Sequence, residues 1–499
     1  MLEMFRSSPR LPPARHFALT WGLADQHGGM TSAMLRRSRS FRLIGGVDVD
    51  ILTLDDRPDY SEYAARLHAS GELIEGLRIR NLWDELREKL PAPRGTAPES
   101  PELLRPEDGD VVAMHGGTVL SRVRRGADGR LLAVDRFRRD GSLLATERPD
   151  SDRKIVLYAG DGTPIRSWKT SWGLYRWWFD RVTGGKPSFL LVDSKTAARS
   201  VAGYRRDNVT TVHIVHASHR QGGRAGELRA TRQYVLRRAG EFDAIVVLTT
   251  RQQADLAEDL AAVGVEATIW TIPNGVDLPE ENVIAREAGH GVVVASLNTR
   301  KRLTHAVEAI AAARAAGARV EADIFGEGPR EAVIRRRIRR LGIEDRIRLR
   351  GHDPAARLAF RTASFSLLTS TSEGLPLVLV ESMAAGCIPI AYDIRYGPAD
   401  MIRDDVDGFL IPEGDVDAMA RRIVELQSMP TAQIEAMRRR AIARAAEFSD
   451  ATVTRRWSRE LRAAYDAKLL AAAKDQPLAV RLRRRAGVLR RKVLWALGR

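Results

Sequence analysis

Short apolar runs alternate along the chain with longer segments of helical periodicity, and this rhythm predicts parallel βαβ units. Nine runs have the pattern of buried strands: HFALTWGL, TTVHIVH, FDAIVVLT, ATIWTIPN, GVVVASL, RVEADIFG, RIRLRGH, SFSLLTS and IPIAYD. The rhythm restarts at GVVVASL, so we place a domain boundary near residues 276–288. The pattern predicts an α/β protein with two doubly wound domains facing a cleft, where ligands bind at the carboxyl ends of the strands.

Residues 110–172 interrupt this rhythm with alternating strands separated by Asp-Gly pairs, which are typical of antiparallel hairpins. The segment before them, PAPRGTAPESPELLRPEDGD, is rich in proline and acidic residues and has the composition of a loop or linker. We therefore expect an antiparallel β-rich insertion in the first domain.

Composition limits the possible partners and compartments. A chain of 499 residues is too long for one ordinary core, and its formal net charge of +16 predicts an acidic partner such as nucleic acid, an anionic membrane or a polyanionic substrate. Lone Cys387 excludes an intramolecular disulfide and a cysteine-based zinc site, and we expect it to be a core residue. No histidine or carboxylate cluster has metal-ligand spacing, so no metal site is expected.

The first residues, MLEMFRSSPRLPPARHF, interrupt any apolar core with Glu3 and several arginines, and no stretch reaches 18 apolar residues. These features predict a soluble, cytoplasmic protein.

The stretch TSEGLPLVLVESMAAG places Glu373 and Glu381 eight residues apart in an otherwise apolar run. In one helix they would stand roughly 12 Å apart, too far for a paired acid and base. Pro376 favours a helix that begins there, with Glu373 in the preceding loop and Glu381 inside the helix. The helix N-terminus between them suits an anion, and the two carboxylates suit hydroxyls at the two ends of a nucleotide-sugar. Spacing alone leaves an alternative open, in which Glu373 is a surface cap and Glu381 is a solvated helix residue.

Several motifs together resemble a known family. FGEGPREAVI, RLRGH, TSTSEGLPLVLVESMAAGCIPIAYD, YGPADMI and DGFLIPEGDVDAMARRI follow in the order seen in the nucleotide-binding domain of glycosyltransferase family 4, which has the GT-B fold. ADQHGGMTSAMLRRSRSF resembles the glycine loop of that family, and VHIVHASH resembles its cleft histidine region. The resemblance covers roughly residues 17–465. It is closest to wall teichoic acid α-glycosyltransferases and related adhesin N-acetylglucosaminyltransferases, which carry a β-rich insertion.

The resemblance implies a retaining, metal-independent transfer from a UDP-sugar, with UDP-glucose or UDP-N-acetylglucosamine as donor and no cofactor. It implies that Glu373 contacts the donor hexose, that Glu381 accepts bonds from the ribose, and that Lys301 neutralises the leaving diphosphate. The backbone of four residues would hold the sugar and the diphosphate: Gly374, Leu375, Pro376 and Leu377. Gly28 and Gly29 lack side chains, so their amides can approach the diphosphate from the first domain, although an ordinary strand-to-helix turn also explains them.

Three histidines lie in TTVHIVHASHR, which runs along a strand into a loop. We predict that His216, at the carboxyl end of the strand, enters the cleft and contacts the donor sugar or an acceptor hydroxyl. His219 is a second candidate for such a contact, and His213 is expected to be structural. The alternative for each is a buried histidine with satisfied hydrogen bonds.

The sequence departs from the family pattern at one cation. The family commonly has an arginine where VASLNTRKRL has Ser296, followed by the lysine that aligns with Lys301. Arg300 or Arg302 could substitute, but neighbouring residues on a loop or helix are expected to point in different directions. Loss of one charge-assisted phosphate contact would cost about 1.5 to 3 kcal/mol.

The resemblance and the pattern together divide the chain into segments. We predict an acceptor-side Rossmann-like domain over 17–280, a nucleotide-sugar-binding Rossmann-like domain over 288–430, and helices over 431–470 that pack back across the domains. Residues 477–499 are basic and interleaved with apolar positions, which indicates an interfacial helix at an anionic inner leaflet. A tail that binds the acceptor or another polyanion, or one that is merely solvated, stays an alternative.

We therefore expect a cytoplasmic glycosyltransferase, peripheral at the inner membrane face, that adds a hexose or N-acetylhexosamine to a polyol-phosphate polymer. The alternatives are transfer to Ser/Thr of a secreted adhesin and, from another class, a weakly active GT-B partner subunit. The β-rich insertion is a candidate surface for a homo-oligomer. No nucleic-acid partner is expected, because the basic residues lack a recognisable reading motif.

Overall fold

The computed structural model describes residues 9–25, 28–93, 107–150, 155–221, 225–278, 286–472 and 486–492, together with Pro101 and Arg105. The chain divides into two compact units. The first comprises Met1–Ile214, Tyr234–Ala244 and Leu461–Arg499, and the second comprises Val215–Gln233 and Ile245–Glu460. Much of the predicted linker at 91–110 and of the predicted boundary at 276–288 lies outside the described residues.

The chain begins with three βα repeats, as the alternation of apolar runs and helical segments predicts. Their elements are β1 (Arg15–Leu19), α1 (Gly29–Leu43), β2 (Val49–Thr53), α2 (Tyr60–Ala69), β3 (Leu77–Asn81) and α3 (Leu82–Glu88). Asn81 caps α3 by accepting hydrogen bonds from the amides of Trp83 and Asp84.

An antiparallel sheet of six strands follows. Its strands are β4 (Val111–His115), β5 (Thr118–Arg125), β6 (Leu131–Phe137), β7 (Leu143–Glu147), β8 (Ile155–Tyr158) and β9 (Pro164–Trp168), paired in chain order. Gly129, Gly141 and Gly162 have φ of 77°, 81° and 83°, a conformation that glycine adopts without a steric penalty. The Asp-Gly pairs therefore form the hairpin turns, and the expected β-rich insertion is confirmed.

A buried ion pair ties this insertion to the rest of the first unit. The Arg136 guanidinium lies 3.7 Å from the centre of the Trp83 ring. It donates to Asp56 at 2.8 and 3.0 Å and to Glu147 at 3.0 Å. Because Arg136 is buried, loss of either carboxylate partner would leave a poorly compensated charge.

After the insertion the βα rhythm resumes. The elements are α4 (Ser171–Thr183), β10 (Ser188–Val192), α5 (Lys195–Val201), β11 (Val209–Val215), α6 (Ala230–Leu236), β12 (Ala244–Val247), α7 (Thr250–Ala261) and β13 (Ile269–Thr271). The seven-stranded sheet has the order β13-β12-β11-β10-β1-β2-β3, and β1 runs parallel to both β10 and β2. Its strand order therefore changes direction between β1 and β10, the place where doubly wound sheets bind ligands.

The remaining strands and helices build a second doubly wound sheet. Its elements are β14 (Glu287–Val294), α8 (Leu303–Ala315), β15 (Glu321–Phe325), α9 (Glu331–Arg340), β16 (Ile347–Gly351), β17 (Ala363–Leu368), α10 (Leu377–Ala384), β18 (Ile388–Tyr392), α11 (Pro398–Met401), β19 (Phe409–Ile411) and α12 (Val416–Ser428). Short 3₁₀ helices span Thr299–Lys301 and Ala356–Arg361. Each of the nine apolar runs contains a strand.

The second sheet has the order β16-β15-β14-β17-β18-β19, and its neighbouring strands run parallel. Its core strands are continuous apolar runs, as expected for a sheet covered on both faces. Order reverses between β14 and β17, so the loops that follow these two strands emerge side by side at the carboxyl edge.

Two long helices, α13 (Thr431–Ala446) and α14 (Asp450–Ala471), occupy the predicted C-terminal helical segment. In the basic tail, residues 486–492 are helical, and the other tail residues lie outside the described part of the chain. Val488 is buried and Arg491 donates to Asp466 on α14 at 3.0 Å, so this short helix is docked on its own unit.

Candidate functional site

The candidate site forms at the strand-order reversal of the second sheet, where the loops after β14 and β17 meet. The Thr371 amide donates to the Arg300 carbonyl at 2.8 Å, and the Thr369 hydroxyl donates to the Lys301 carbonyl at 2.9 Å. These bonds fix the backbone of the Arg300–Lys301 turn against the loop that carries Glu373. Residues about seventy positions apart in sequence thereby become neighbours.

Two cations bind the Glu373 carboxylate from this arrangement. Lys301 Nζ donates to Oε1 at 2.6 Å, and Arg300 NH1 donates to Oε2 at 2.8 Å. Burial by itself would raise the pKa of Glu373, but Lys301 and Arg300 outweigh it, and the pKa of this carboxyl is lowered. Glu373 is therefore an ionised, largely buried carboxylate with both oxygens engaged.

Arg300 corrects one sequence expectation. Neighbouring residues were expected to point in different directions, yet Arg300 and Lys301 reach the same carboxylate. The cause is the tight turn Thr299–Lys301, which ends where Arg302 adopts φ of 47°. Arg302 does point elsewhere, because its NH2 donates to Glu413 at 2.9 Å.

Helix α10 begins at Leu377, one residue after the predicted start, and Pro376 is its N-cap. No side chain caps its amides, and its first turn contains no acidic residue, so the end keeps its partial positive charge. Glu381 lies inside the helix, with its carboxylate 3.1 Å from Arg357 NH2. The structure thus places the two carboxylates on either side of the helix N-terminus, as the sequence predicts.

Gly374 has a steric role in addition to its predicted contact with the donor. A Cβ added there would lie 2.1 Å from the His216 carbonyl oxygen and 3.0 Å from Ala217 Cα. Only glycine allows the backbone after Glu373 to pass so close to the backbone that follows β11. Sequence offered no signal for this contact, since the two segments are far apart along the chain.

The loop after β18 holds Glu373 from the other side. The Tyr396 amide donates to the Glu373 carbonyl at 3.1 Å, and the Glu373 amide donates to the Arg395 carbonyl at 3.4 Å. Tyr396 in turn donates its hydroxyl to Asp255 at 2.7 Å, and Arg395 also binds Asp255. Sequence analysis assigned no role to Tyr396 or Asp255, although YGPADMI was part of the resemblance.

His219 is enclosed in the network that supports this loop. Its ring has no exposed surface, stacks at 5.7 Å on Tyr396, and its Nε2 lies 3.0 Å from Asp259 Oδ2. Burial above all lowers the pKa of His219 to about 4, so the ring is neutral at pH 7. Buried Arg220 binds the same Asp259 at 2.7 and 2.8 Å. The contact of His219 with a sugar or an acceptor stays a prediction, and in this arrangement protein surrounds the ring.

His216 is the first residue after β11 and is partly buried, in agreement with its predicted place at the carboxyl end of the strand. His213 is buried inside the strand and donates from Nδ1 to the Val192 carbonyl at 2.9 Å. His213 is thus a structural residue, as expected. The role of His216 toward a substrate stays a prediction.

In the first unit, Gly28 is the N-cap of α1 and Gly29 begins that helix, directly after the β1 loop. Both are exposed, and an added Cβ would meet nothing within 4 Å among the residues that the structure describes. Packing therefore gives no reason for glycine at either position. Close approach of a ligand to their amides stays a prediction.

Three further properties of the described residues complete the picture. Within the described ranges, no group of three or more histidine, cysteine or acidic residues is arranged to hold a metal ion. Among the helices that the structure describes, none is both long and apolar enough to cross a membrane. Cys387 is buried, and burial raises the pKa of its thiol to about 11, as expected for a core residue.

Comparisons with known proteins agree with this geometry. Residues 279–448 match the family model described as glycosyl transferases group 1. The chain is 34% identical over 240 residues to an exopolysaccharide phosphotransferase of Streptomyces coelicolor, a match that covers 48% of the chain and 24% of that protein. It is 22% identical over 461 residues to a poly(ribitol-phosphate) α-N-acetylglucosaminyltransferase of Staphylococcus aureus, which covers 82% of the chain and 92% of that protein.

Among solved structures, the pneumococcal O-GlcNAc transferase GtfA in complex with UDP and GlcNAc superposes with a TM-score of 0.69. It is 18% identical, and the match covers 90% of this chain and 99% of that one. TarM of Staphylococcus aureus superposes with a TM-score of 0.68 at 19% identity, with the same coverage. The predicted GT-B fold is confirmed, and residues 279–448 have the sequence pattern of the group 1 glycosyl transferases.

Proposed function

We propose that this chain transfers a hexose or N-acetylhexosamine from a UDP-sugar to a polyol-phosphate polymer, with retention of configuration and without a metal ion. The observation that carries the proposal is the Glu373 carboxylate, bound by Lys301 and Arg300 beside the uncapped N-terminus of α10. This arrangement sets cations and free amides for a diphosphate next to an acceptor for sugar hydroxyls.

The donor would lie along α10. Glu373 accepts hydrogen bonds from the hexose, the backbone of Gly374–Leu377 follows the sugar and the diphosphate, and Glu381 accepts from the ribose. Because Arg357 already forms an ion pair with the Glu381 carboxylate, the ribose hydroxyls must either bind that carboxylate beside Arg357 or displace Arg357 from it. Gly28 and Gly29 would bring further amides to the diphosphate from the first unit.

Catalysis follows from charge. As the bond between the sugar and the diphosphate breaks, negative charge grows on the leaving phosphate oxygens, and Lys301 together with the α10 amides stabilises it. These groups supply the electrostatic stabilisation that a metal ion supplies in other transferases, which is why we propose metal independence. His216 would contact the sugar or the incoming hydroxyl.

The acceptor proposal rests on charge and on relatives. A net charge of +16 suits a polyanionic polymer, and the relatives include a poly(ribitol-phosphate) and a poly(glycerol-phosphate) transferase. We place the enzyme in the cytoplasm, at the inner membrane face, where the basic tail would contact anionic lipid. Self-association through the insertion has one candidate surface, since Val111, Val112 and Met114 are exposed on its edge strand β4.

A second candidate function has its own support. The chain is similar to GtfA, which acts on peptide and was solved as a GtfA/B complex, so the acceptor could be Ser/Thr of a secreted adhesin. In that case the chain would work with a partner subunit, or serve as a weakly active subunit itself.

The test is UDP release by the purified protein with UDP-glucose or UDP-N-acetylglucosamine, each alone, with poly(ribitol phosphate) or poly(glycerol phosphate), or with a serine-rich peptide. We expect release from one donor to rise with one polymer and to vanish in Glu373→Ala. Glu413→Ala is the matched control, because Glu413 also binds an arginine of the same loop but not Lys301. Release that rises only with peptide would support transfer to Ser/Thr. UDP binding without release from any pair would refute the proposed polymer transfer and leave the weakly active partner subunit.

A further inference from the structure

The Glu373 cluster holds more positive charge than its carboxylate can neutralise. Lys301 and Arg300 bring two positive charges to one negative charge, and the amides of α10 add to the positive side. Lys301 is largely enclosed, whereas the Arg300 side chain is 49% exposed. An anion that entered here would meet an exposed guanidinium at the surface and an enclosed ammonium behind it.

The hydrogen bonds of Arg300 leave donors available. Within the described chain, its guanidinium makes both of its contacts through NH1, to Glu373 Oε2 at 2.8 Å and to the Ser372 carbonyl at 3.0 Å. An arginine side chain has five N–H donors, so Nε and NH2 can make the first contacts with a phosphate before Arg300 leaves Glu373. The Arg300 backbone is held by Thr371, which keeps the side chain over this loop.

The nearby alternatives lack these features. Ser296 is exposed but uncharged, and the Arg302 guanidinium is engaged by Glu413. Arg302 also has its backbone in the left-handed region, which turns its side chain away from the Glu373 carboxylate. Among Ser296, Arg300 and Arg302, only Arg300 combines a charge with contact to Glu373.

We propose that Arg300 is the second cation for the donor diphosphate. In the free protein Glu373 pairs with Arg300 and Lys301, and the diphosphate replaces Glu373 as their partner when the donor binds. This inference rests on the proposed function, since it requires a nucleoside diphosphate at this site. When the phosphate oxygens accept from the two cations, the Glu373 oxygens become available to the sugar hydroxyls. Diphosphate binding and sugar binding are coupled through one carboxylate.

The experiment compares binding of UDP and uridine by titration calorimetry at fixed ionic strength, in the wild type, Arg300→Gln and Arg302→Gln. We expect Arg300→Gln to weaken UDP binding ten- to hundredfold and to leave uridine binding unchanged, because uridine has no phosphate. Arg302→Gln, which removes the same charge two residues away, should change UDP affinity less than twofold. Ser296→Arg added to Arg300→Gln should recover most of the loss.

The outcomes separate this inference from the proposed function. A wild type that does not bind UDP refutes the proposed function and this inference with it. If the wild type and Arg300→Gln bind UDP with equal affinity, the role of Arg300 is refuted, while the proposed function stands. Equal losses in Arg300→Gln and Arg302→Gln would show a general charge effect and also overturn it. If Arg300→Gln does not fold, Arg300→Lys, which keeps the charge but loses the planar donor set, should bind UDP with an intermediate affinity.

Discussion

Glu373→Gln is expected to have opposite effects on two properties of the site. In the proposed complex the carboxylate competes with the diphosphate for Lys301 and Arg300, so its neutralisation should tighten UDP binding. The same change removes the proposed charged acceptor for the sugar hydroxyls, so transfer from a UDP-sugar should fall steeply. A residue that merely stabilised the fold would weaken both.

The size of the effect follows from the two contacts. The Lys301–Glu373 pair has a 2.6 Å contact between side chains that are 14% and 10% exposed, and a charge-assisted hydrogen bond of this kind contributes about 1.5 to 3 kcal/mol. Arg300 is half exposed, so solvent screening limits its pair to about 0 to 1 kcal/mol. Release of both cations should strengthen UDP binding by about 2 kcal/mol, which is about thirtyfold.

Titration calorimetry with UDP measures the first effect, and UDP release from the preferred donor measures the second. Unfolding in urea should show the free protein destabilised by about 2 kcal/mol, because two cations lose their partner. Glu413→Gln is the control, and it should leave UDP affinity and transfer unchanged. Weaker UDP binding in Glu373→Gln than in the wild type would show that the carboxylate does not compete for the cations and would refute this reasoning.

Four further changes test other parts of the structure. Gly374→Ala places a Cβ 2.1 Å from the His216 carbonyl oxygen, so the free energy of unfolding measured in urea should fall by about 1 to 3 kcal/mol. The Cβ of Gly28→Ala meets nothing within 4 Å among described residues. This variant should therefore unfold like the wild type, while its UDP binding in calorimetry weakens. Burial raises the pKa of Asp55 from 3.8 to about 6, so the stability that its protonated form contributes is lost as pH rises from about 4 to 6. At pH 8 the free energy of unfolding in urea should be about 1 to 3 kcal/mol higher for Asp55→Asn than for the wild type. At pH 4 the variant should have no such advantage. The pKa of His219 is lowered from 6.5 to about 4, so the protein loses stability as pH falls from about 6.5 to 4. In the same assay, the free energy of unfolding of His219→Gln should depend less on pH over this range.

Much of the fold was predictable because the strands carry their own signal. Continuous apolar runs marked nine strands, and the Asp-Gly pairs marked the hairpins of the insertion. The same reasoning placed Glu373 before a helix and Glu381 inside it, because Pro376 restricts the residue before it. These predictions depend on residues close together in sequence, where local rules apply.

The rest depends on contacts between distant segments. Adjacency along the chain suggested that Arg300 and Lys301 diverge, but the Thr371 amide fixes the turn so that both reach one carboxylate. Gly374 is needed because of the His216 carbonyl, and no local pattern reports such a neighbour. Tertiary packing decided both points.

The site combines a rigid backbone with movable charge. Glu373 is held on one side by the Tyr396 amide, and the adjoining Thr371 amide is bonded to the Arg300 carbonyl, so the loop that bears the carboxylate is fixed by two neighbouring loops of the same sheet. The cations instead lie at the ends of long side chains with several rotatable bonds, which can exchange one anionic partner for another. A transferase needs this division, because the sugar must be held in one position while charge on the diphosphate grows during reaction. In the proposed donor complex, the fixed element is the Glu373 carboxylate that accepts from the sugar, and the movable elements are the side chains of Lys301 and Arg300.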